Sequence, residues 1–101
     1  MRTIGVVTTS RADYGLYRPI LNRIKAEEDL ELMLFVSGSH LSQEFGSTEK
    51  FIRRDGFEIT HRVEMLLSSD SPRGIAKSMG LGTIGFAQAF AQSPPDLLLV
   101  L

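Results

Sequence analysis

An α/β fold built on an all-parallel sheet is predicted by three observations. Strand-like and helix-like segments alternate along the chain as β-α-β-α-β-α-β. Three of the strand candidates are short, largely apolar runs, as in strands covered on both faces. The first two of these runs end in small, hydroxyl-rich stretches, Thr8-Thr9-Ser10 and Ser37-Gly38-Ser39. Right-handed crossovers in a doubly wound, Rossmann-like sheet then give the strand order 3-2-1-4, with the switch point between the first and fourth strands. A ligand is expected in the crevice there.

The first strand is Ile4 to Val7, and the polar loop Thr8 to Ala12 follows it. From Asp13 the apolar spacing becomes helical: Leu16, Ile20 and Ile24 lie four apart, with Tyr17 and Leu21 beside them. Asp13 is placed to cap this helix, which should reach Ala26 with a kink or a tight first turn imposed by Pro19. Leu30 to Val36 is the second strand. Leu41 to Gly46 reads as a surface connection, and Ser47 as the cap of a short helix, Thr48 to Arg54, that Gly56 terminates in a left-handed conformation. The third strand, Phe57 to Met65, alternates imperfectly and belongs nearer the sheet edge.

Leu66 to Ser71 is a loop, and Ser71-Pro72 is a helix start, a hydroxyl cap followed by proline at the first helical position. The helix should reach Gln92, with Ile75, Met79, Ile84, Phe86 and Phe90 as candidate core contacts. Gly74, Gly80, Gly82 and Gly85 lower its intrinsic stability by roughly 1 kcal/mol each, so packing must hold it. Ser93-Pro94-Pro95-Asp96 stops it, and Leu97 to Leu101 is an aliphatic run suited to a central parallel strand. Such a strand wants a neighbour on its open edge. The 101 residues therefore read as the incomplete N-terminal part of a Rossmann-like domain.

With 43% hydrophobic and 23% charged residues the chain is of the soluble globular kind. A net charge of -1 gives no electrostatic case for nucleic acid or an anionic membrane. Cysteine is absent and there are two histidines, which excludes disulfides and thiolate metal sites and argues against a histidine-rich one. No metal or cofactor is implied. The opening residues have no leader-like pattern, and a cytoplasmic protein is expected.

Arg11 carries the first functional expectation. The turn from the first strand into a helix leaves backbone N–H groups at the carboxyl edge of the sheet, and a guanidinium fork there suits phosphate. The ordinary alternative is a solvent-exposed loop arginine. His40 occupies the corresponding place after the second strand, whereas His61, inside a strand, reads as structural. Gly80-Leu-Gly82-Thr-Ile-Gly85 matches G-x-G-x-x-G, but the dinucleotide motif needs a strand directly before it and here a helix precedes it. Close packing of a glycine-rich helix face is the better reading. No pair of carboxylates spaced for acid–base chemistry stands out.

Several segments taken together, Ser10-Arg11-Ala12-Asp13-Tyr14-Gly15, Ser37-Gly38-Ser39-His40-Leu41, Phe45-Gly46, Glu64 to Asp70 and Pro95 to Val100, resemble the N-terminus of hydrolysing UDP-N-acetylglucosamine 2-epimerases of sialic acid and nonulosonate biosynthesis. The resemblance runs the length of the chain. It implies a two-domain, GT-B-like fold with the sugar nucleotide between two Rossmann-like domains, and a full-length homo-oligomer. It also implies a reaction in which UDP is eliminated from UDP-N-acetylglucosamine and water adds to the resulting glycal to give N-acetylmannosamine. Arg11 matches a nucleotide-contacting arginine. Gly15 falls where relatives place another UDP contact, which here only the backbone could make. His40 matches a histidine near the sugar-diphosphate pocket. The family's catalytic aspartate lies in a Gly-Asp-Arg segment expected just after Leu101, so no catalytic residue is assigned within the chain and catalysis is not expected of it alone. A non-hydrolysing epimerase, a GT-B glycosyltransferase and a non-catalytic nucleotide-binding module are the alternatives.

Overall fold

Seven elements follow the expected order: β1 (Arg2–Thr8), α1 (Arg11–Ala26), β2 (Leu30–Ser37), α2 (Glu49–Arg54), β3 (His61–Val63), α3 (Pro72–Gln92) and β4 (Leu97–Leu99). The computed structural model describes residues 2–9, 11–37, 49–64 and 71–100, without the side chain of Arg11. The four strands form one sheet in the order β3-β2-β1-β4. Every pairing is parallel: Arg2 to Thr8 against Leu30 to Val36, Ile4 to Val6 against Leu97 to Leu99, and Phe35 to Ser37 against His61 to Val63. The sheet order read from the sequence is the one observed.

Each face of the sheet is packed by a different kind of helix surface. On one side Tyr14, Tyr17, Leu21 and Ile24 of α1 bury against Val6, Leu34 and Val36, with Ile52 and Phe57 completing the cluster. The buried spacing is therefore 14-17-21-24. Of the residues that gave the helical spacing, Leu16 and Ile20 are 67% and 45% exposed because the face that meets the sheet is set by the two tyrosines. The helix also begins two residues earlier than expected and is continuous through Pro19.

On the other side α3 turns small residues inward. Gly74, Ser78, Gly82 and Ala89 are its buried positions, while Ile75, Met79 and Ile84, expected as core contacts, are exposed. Phe86 and Phe90 do pack inward, against Phe35, Val63 and Ala89. The N-cap of α3 is Ser71, whose hydroxyl accepts the Gly74 N–H at 3.1 Å, and Pro72 opens the helix as the sequence indicated. Close approach explains part of the glycine content. A Cβ on Gly85 would lie 2.5 Å from Val63 Cγ1, whereas one on Gly80 would meet nothing within 4 Å. Gly80→Ala is accordingly expected to stabilise the chain by about 0.5–1 kcal/mol. Gly85→Ala is expected to destabilise it, since overpacking against a stiff valine costs about 1–3 kcal/mol. Urea unfolding of the two variants checks the contrast, which disappears if neither glycine packs against the sheet.

The strands β3 and β4 are shorter than expected. Phe57 enters the core outside any strand, and Leu34 exchanges hydrogen bonds with Thr60, its carbonyl accepting the Thr60 N–H and its own N–H donating to Thr60 Oγ1. Gly56 terminates α2 at φ 88°, as expected of the residue after a helix C-terminus. At the other end of the sheet, Asp96 accepts the Thr3 N–H at 2.7 Å and the Thr3 hydroxyl, and its own N–H donates to the Thr3 carbonyl. These bonds hold the Asp96 carboxyl below its ordinary pKa and fix β4 beside β1. Gly5 permits that approach, because a Cβ there would sit 2.9 Å from the Pro95 ring.

Candidate functional site

The carboxyl ends of β1 and β2 lie side by side, and Thr8 and Ser37 at those ends are both fully buried. From Thr8 the chain passes into α1 within a few residues, and the Asp13 carboxylate closes the turn. It accepts from the Thr8 hydroxyl, from the Thr9 N–H at 3.0 Å and from the Thr9 hydroxyl at 2.7 Å. Asp13 was expected to cap the helix. It lies instead inside the first turn and reaches back, as the acidic partner of a capping box does.

A second cluster braces the same helix from α2. Tyr14 donates its hydroxyl to Asp55 at 2.6 Å, and Arg18 pairs with that carboxylate at 3.2 Å. Burial, then the hydrogen bond and charge of Asp55, push the Tyr14 phenol well above its usual pKa. Tyr14, Gly15, Arg18, Phe51, Arg54 and Asp55 line a cavity of about 300 Å³. Nothing in the sequence pointed to Asp55 as a partner of Tyr14, because 41 residues separate them. Tyr17 is also buried, and desolvation followed by the nearby Asp13 charge raises its phenol pKa. Among the described residues, the Tyr17 and Ser37 hydroxyls are buried without a hydrogen-bond partner.

Of the three expected substrate contacts, Arg11 is the first residue of α1, at the carboxyl edge of β1. Gly15 follows one turn later and is open, with nothing within 4 Å of a built Cβ. Four residues apart on a helix, the two share a face. His40 lies outside the described residues, as do the expected connection from Leu41 to Gly46, the Ser47 cap and the loop from Leu66 to Asp70. His61 keeps its structural role: Nε2 is 2.9 Å from Ser93 Oγ and the ring stacks on Phe35 at 5.7 Å. The G-x-G-x-x-G stretch lies wholly inside α3, away from any strand-to-helix turn. Among the described residues no cluster of His, Asp or Glu could hold a metal ion, and no helix is long and apolar enough to cross a membrane.

A parallel sheet with β1 and β4 adjacent and codirectional, and a tied strand-to-helix turn at the carboxyl edge of β1, defines a Rossmann-like α/β protein whose strand order reverses between β1 and β4. Comparison with known proteins narrows this. The profile of the UDP-N-acetylglucosamine 2-epimerase family matches residues 22–101, and the chain belongs to that family. It is 37% identical over 100 residues to the GDP/UDP-N,N'-diacetylbacillosamine 2-epimerase (hydrolyzing) of Campylobacter jejuni, and 37% identical over 101 residues to the UDP-N,N'-diacetylbacillosamine 2-epimerase (hydrolyzing) of Legionella pneumophila. The UDP-N-acetylglucosamine 2-epimerase of Neisseria meningitidis is 32% identical over 102 residues. These alignments cover 99%, 100% and 99% of this chain but 26%, 27% and 26% of the relatives, so the chain spans about a quarter of their length.

Proposed function

We propose that this chain is the N-terminal part of a hydrolysing UDP-sugar 2-epimerase and that it supplies one wall of the nucleotide-sugar site. The observation that carries the reading is the β1-to-α1 turn beside β4, which puts the N-terminal N–H groups of a 16-residue helix at the switch point. Arg11 and the backbone at Gly15 contact the UDP diphosphate, and His40 lies near the sugar. In the reaction the C1–O bond to UDP breaks as the C2 proton leaves, and water then adds to the glycal. Anion-binding groups aid the step in which negative charge collects on the departing diphosphate. The base and acid that move protons come from beyond these 101 residues.

The substrate is a UDP-linked 2-acetamido sugar. UDP-N-acetylglucosamine is the candidate from the sequence motifs, giving N-acetylmannosamine. The greater identity to relatives named for UDP-N,N'-diacetylbacillosamine, 37% against 32%, favours that diacetamido sugar as a second candidate. Incubating the full-length protein with each compound tests both. UDP and the free 2-epimeric sugar should appear together from one of them. Interconversion without UDP release would point to a non-hydrolysing epimerase, a requirement for an acceptor to a glycosyltransferase, and binding without turnover to a nucleotide-binding module.

A further inference from the structure

A carboxylate in the first turn of α1, here Asp13, is unfavourable beside a diphosphate, because it opposes the attraction of the helix N-terminus for anions. The same carboxylate accepts three hydrogen bonds, from Thr8 Oγ1, Thr9 N and Thr9 Oγ1. Thr8 is fully buried and ends β1, paired with Val36 of β2, so the carboxylate is anchored to the sheet. Thr9 is exposed and belongs to the turn itself. The three bonds tie the end of β1 and Thr9 to the third residue of α1, the helix that Arg11 begins.

We propose that Asp13 is a positioning residue that holds the β1–α1 turn, with Thr8 and Thr9, in the conformation that presents Arg11 and the first N–H groups of α1 to the UDP diphosphate. The proposal rests on the nucleotide reading of this turn. A turn fixed before the ligand arrives loses little freedom on binding, and a misplacement of about 1 Å in such a group can cost two orders of magnitude. The side chain thus acts through the geometry of the turn, with no contact to the ligand.

The test is calorimetric titration of the full-length protein with UDP, comparing wild type with Asp13→Ala, Thr9→Val, Thr9→Ser and the Asp13→Ala/Thr9→Val double variant. Circular dichroism confirms that each is folded at the titration temperature. Asp13→Ala should lower affinity about tenfold. Thr9→Val should lower it in the same direction, Thr9→Ser should restore it, and the double variant should bind no more weakly than Asp13→Ala, because both changes cut the same tie. A merely structural aspartate would lower the unfolding temperature and leave UDP affinity where it was. Unchanged or tighter binding by folded Asp13→Ala, or losses that add in the double variant, would overturn the positioning role alone. Should Asp13→Ala fail to fold, the contrast between Thr9→Val and Thr9→Ser decides the matter. Wild-type protein that does not bind UDP would overturn the nucleotide reading and this role with it.

Discussion

Phe35→Ala is expected to destabilise the chain by about 3–5 kcal/mol, the cost of emptying a fully buried aromatic site. The effect is large because Phe35 sits at the centre of the cluster under α3, with Val63 and Ala89 buried beside it and Phe86 and Phe90 packed against it. The buried residues of α3, Gly74, Ser78, Gly82 and Ala89, bring the helix close to the sheet, and Phe86 and Phe90 are the bulky side chains it adds to the cluster. Phe35 stacks on His61 and meets Phe90 edge-on at a centroid distance of 4.9 Å. It is the largest fully buried side chain among the described residues, and it joins β2, β3 and α3 at one point. Phe35→Leu should lose much less, since it keeps most of the volume and gives up the ring contacts. Urea unfolding of the three proteins measures the difference. A loss under about 1 kcal/mol in Phe35→Ala would mean that α3 can settle onto the sheet without it.

That arrangement also explains which parts of the molecule could be read from the sequence. Strand order and direction were legible because they follow from the alternation of elements and from the handedness of crossovers, neither of which depends on side-chain detail. The start of α3 was legible because Ser71-Pro72 is a local signal with a local partner, the Gly74 N–H. Which helix face turns inward was harder to read. In α3 apolar residues occur all round, and the choice fell to the glycines because Val63 leaves no room for a Cβ at position 85. In α1 both Leu16 and Tyr17 could have been buried, and the tyrosine face won because Tyr14 reaches Asp55 while Tyr17 fills the core above Val6. At the candidate site, the place of Arg11 at the carboxyl edge of β1 was legible from the strand-to-helix pattern, whereas Gly15 entered only through the family resemblance. The ties of Asp13 to Thr8 and Thr9 run backwards across the turn, and a cap reading of Asp13 looked only forwards along the helix.

Replacing Arg11 should have the largest effect on ligand binding. In the proposed site its guanidinium is the one fixed positive charge that the β1–α1 turn offers to a diphosphate. Hydrogen bonds to charged groups contribute about 1.5–3 kcal/mol, so Arg11→Ala is expected to weaken UDP binding by the full-length protein roughly ten- to a hundredfold. Arg11→Lys should recover only part of this, because an ammonium keeps the charge and loses the planar pair of donors. The deficit in both variants should shrink as salt is raised, since screening weakens the wild-type interaction that they lack. Gly15→Ala is the informative companion. The position is open, so the substitution should leave the fold intact and favour the helix by about 0.5–1 kcal/mol, while UDP affinity holds if only the Gly15 backbone is used. Calorimetry at two ionic strengths reads all three variants. Equal UDP affinity in wild type and Arg11→Ala would make Arg11 an ordinary surface arginine and move the diphosphate contact elsewhere on the sheet edge.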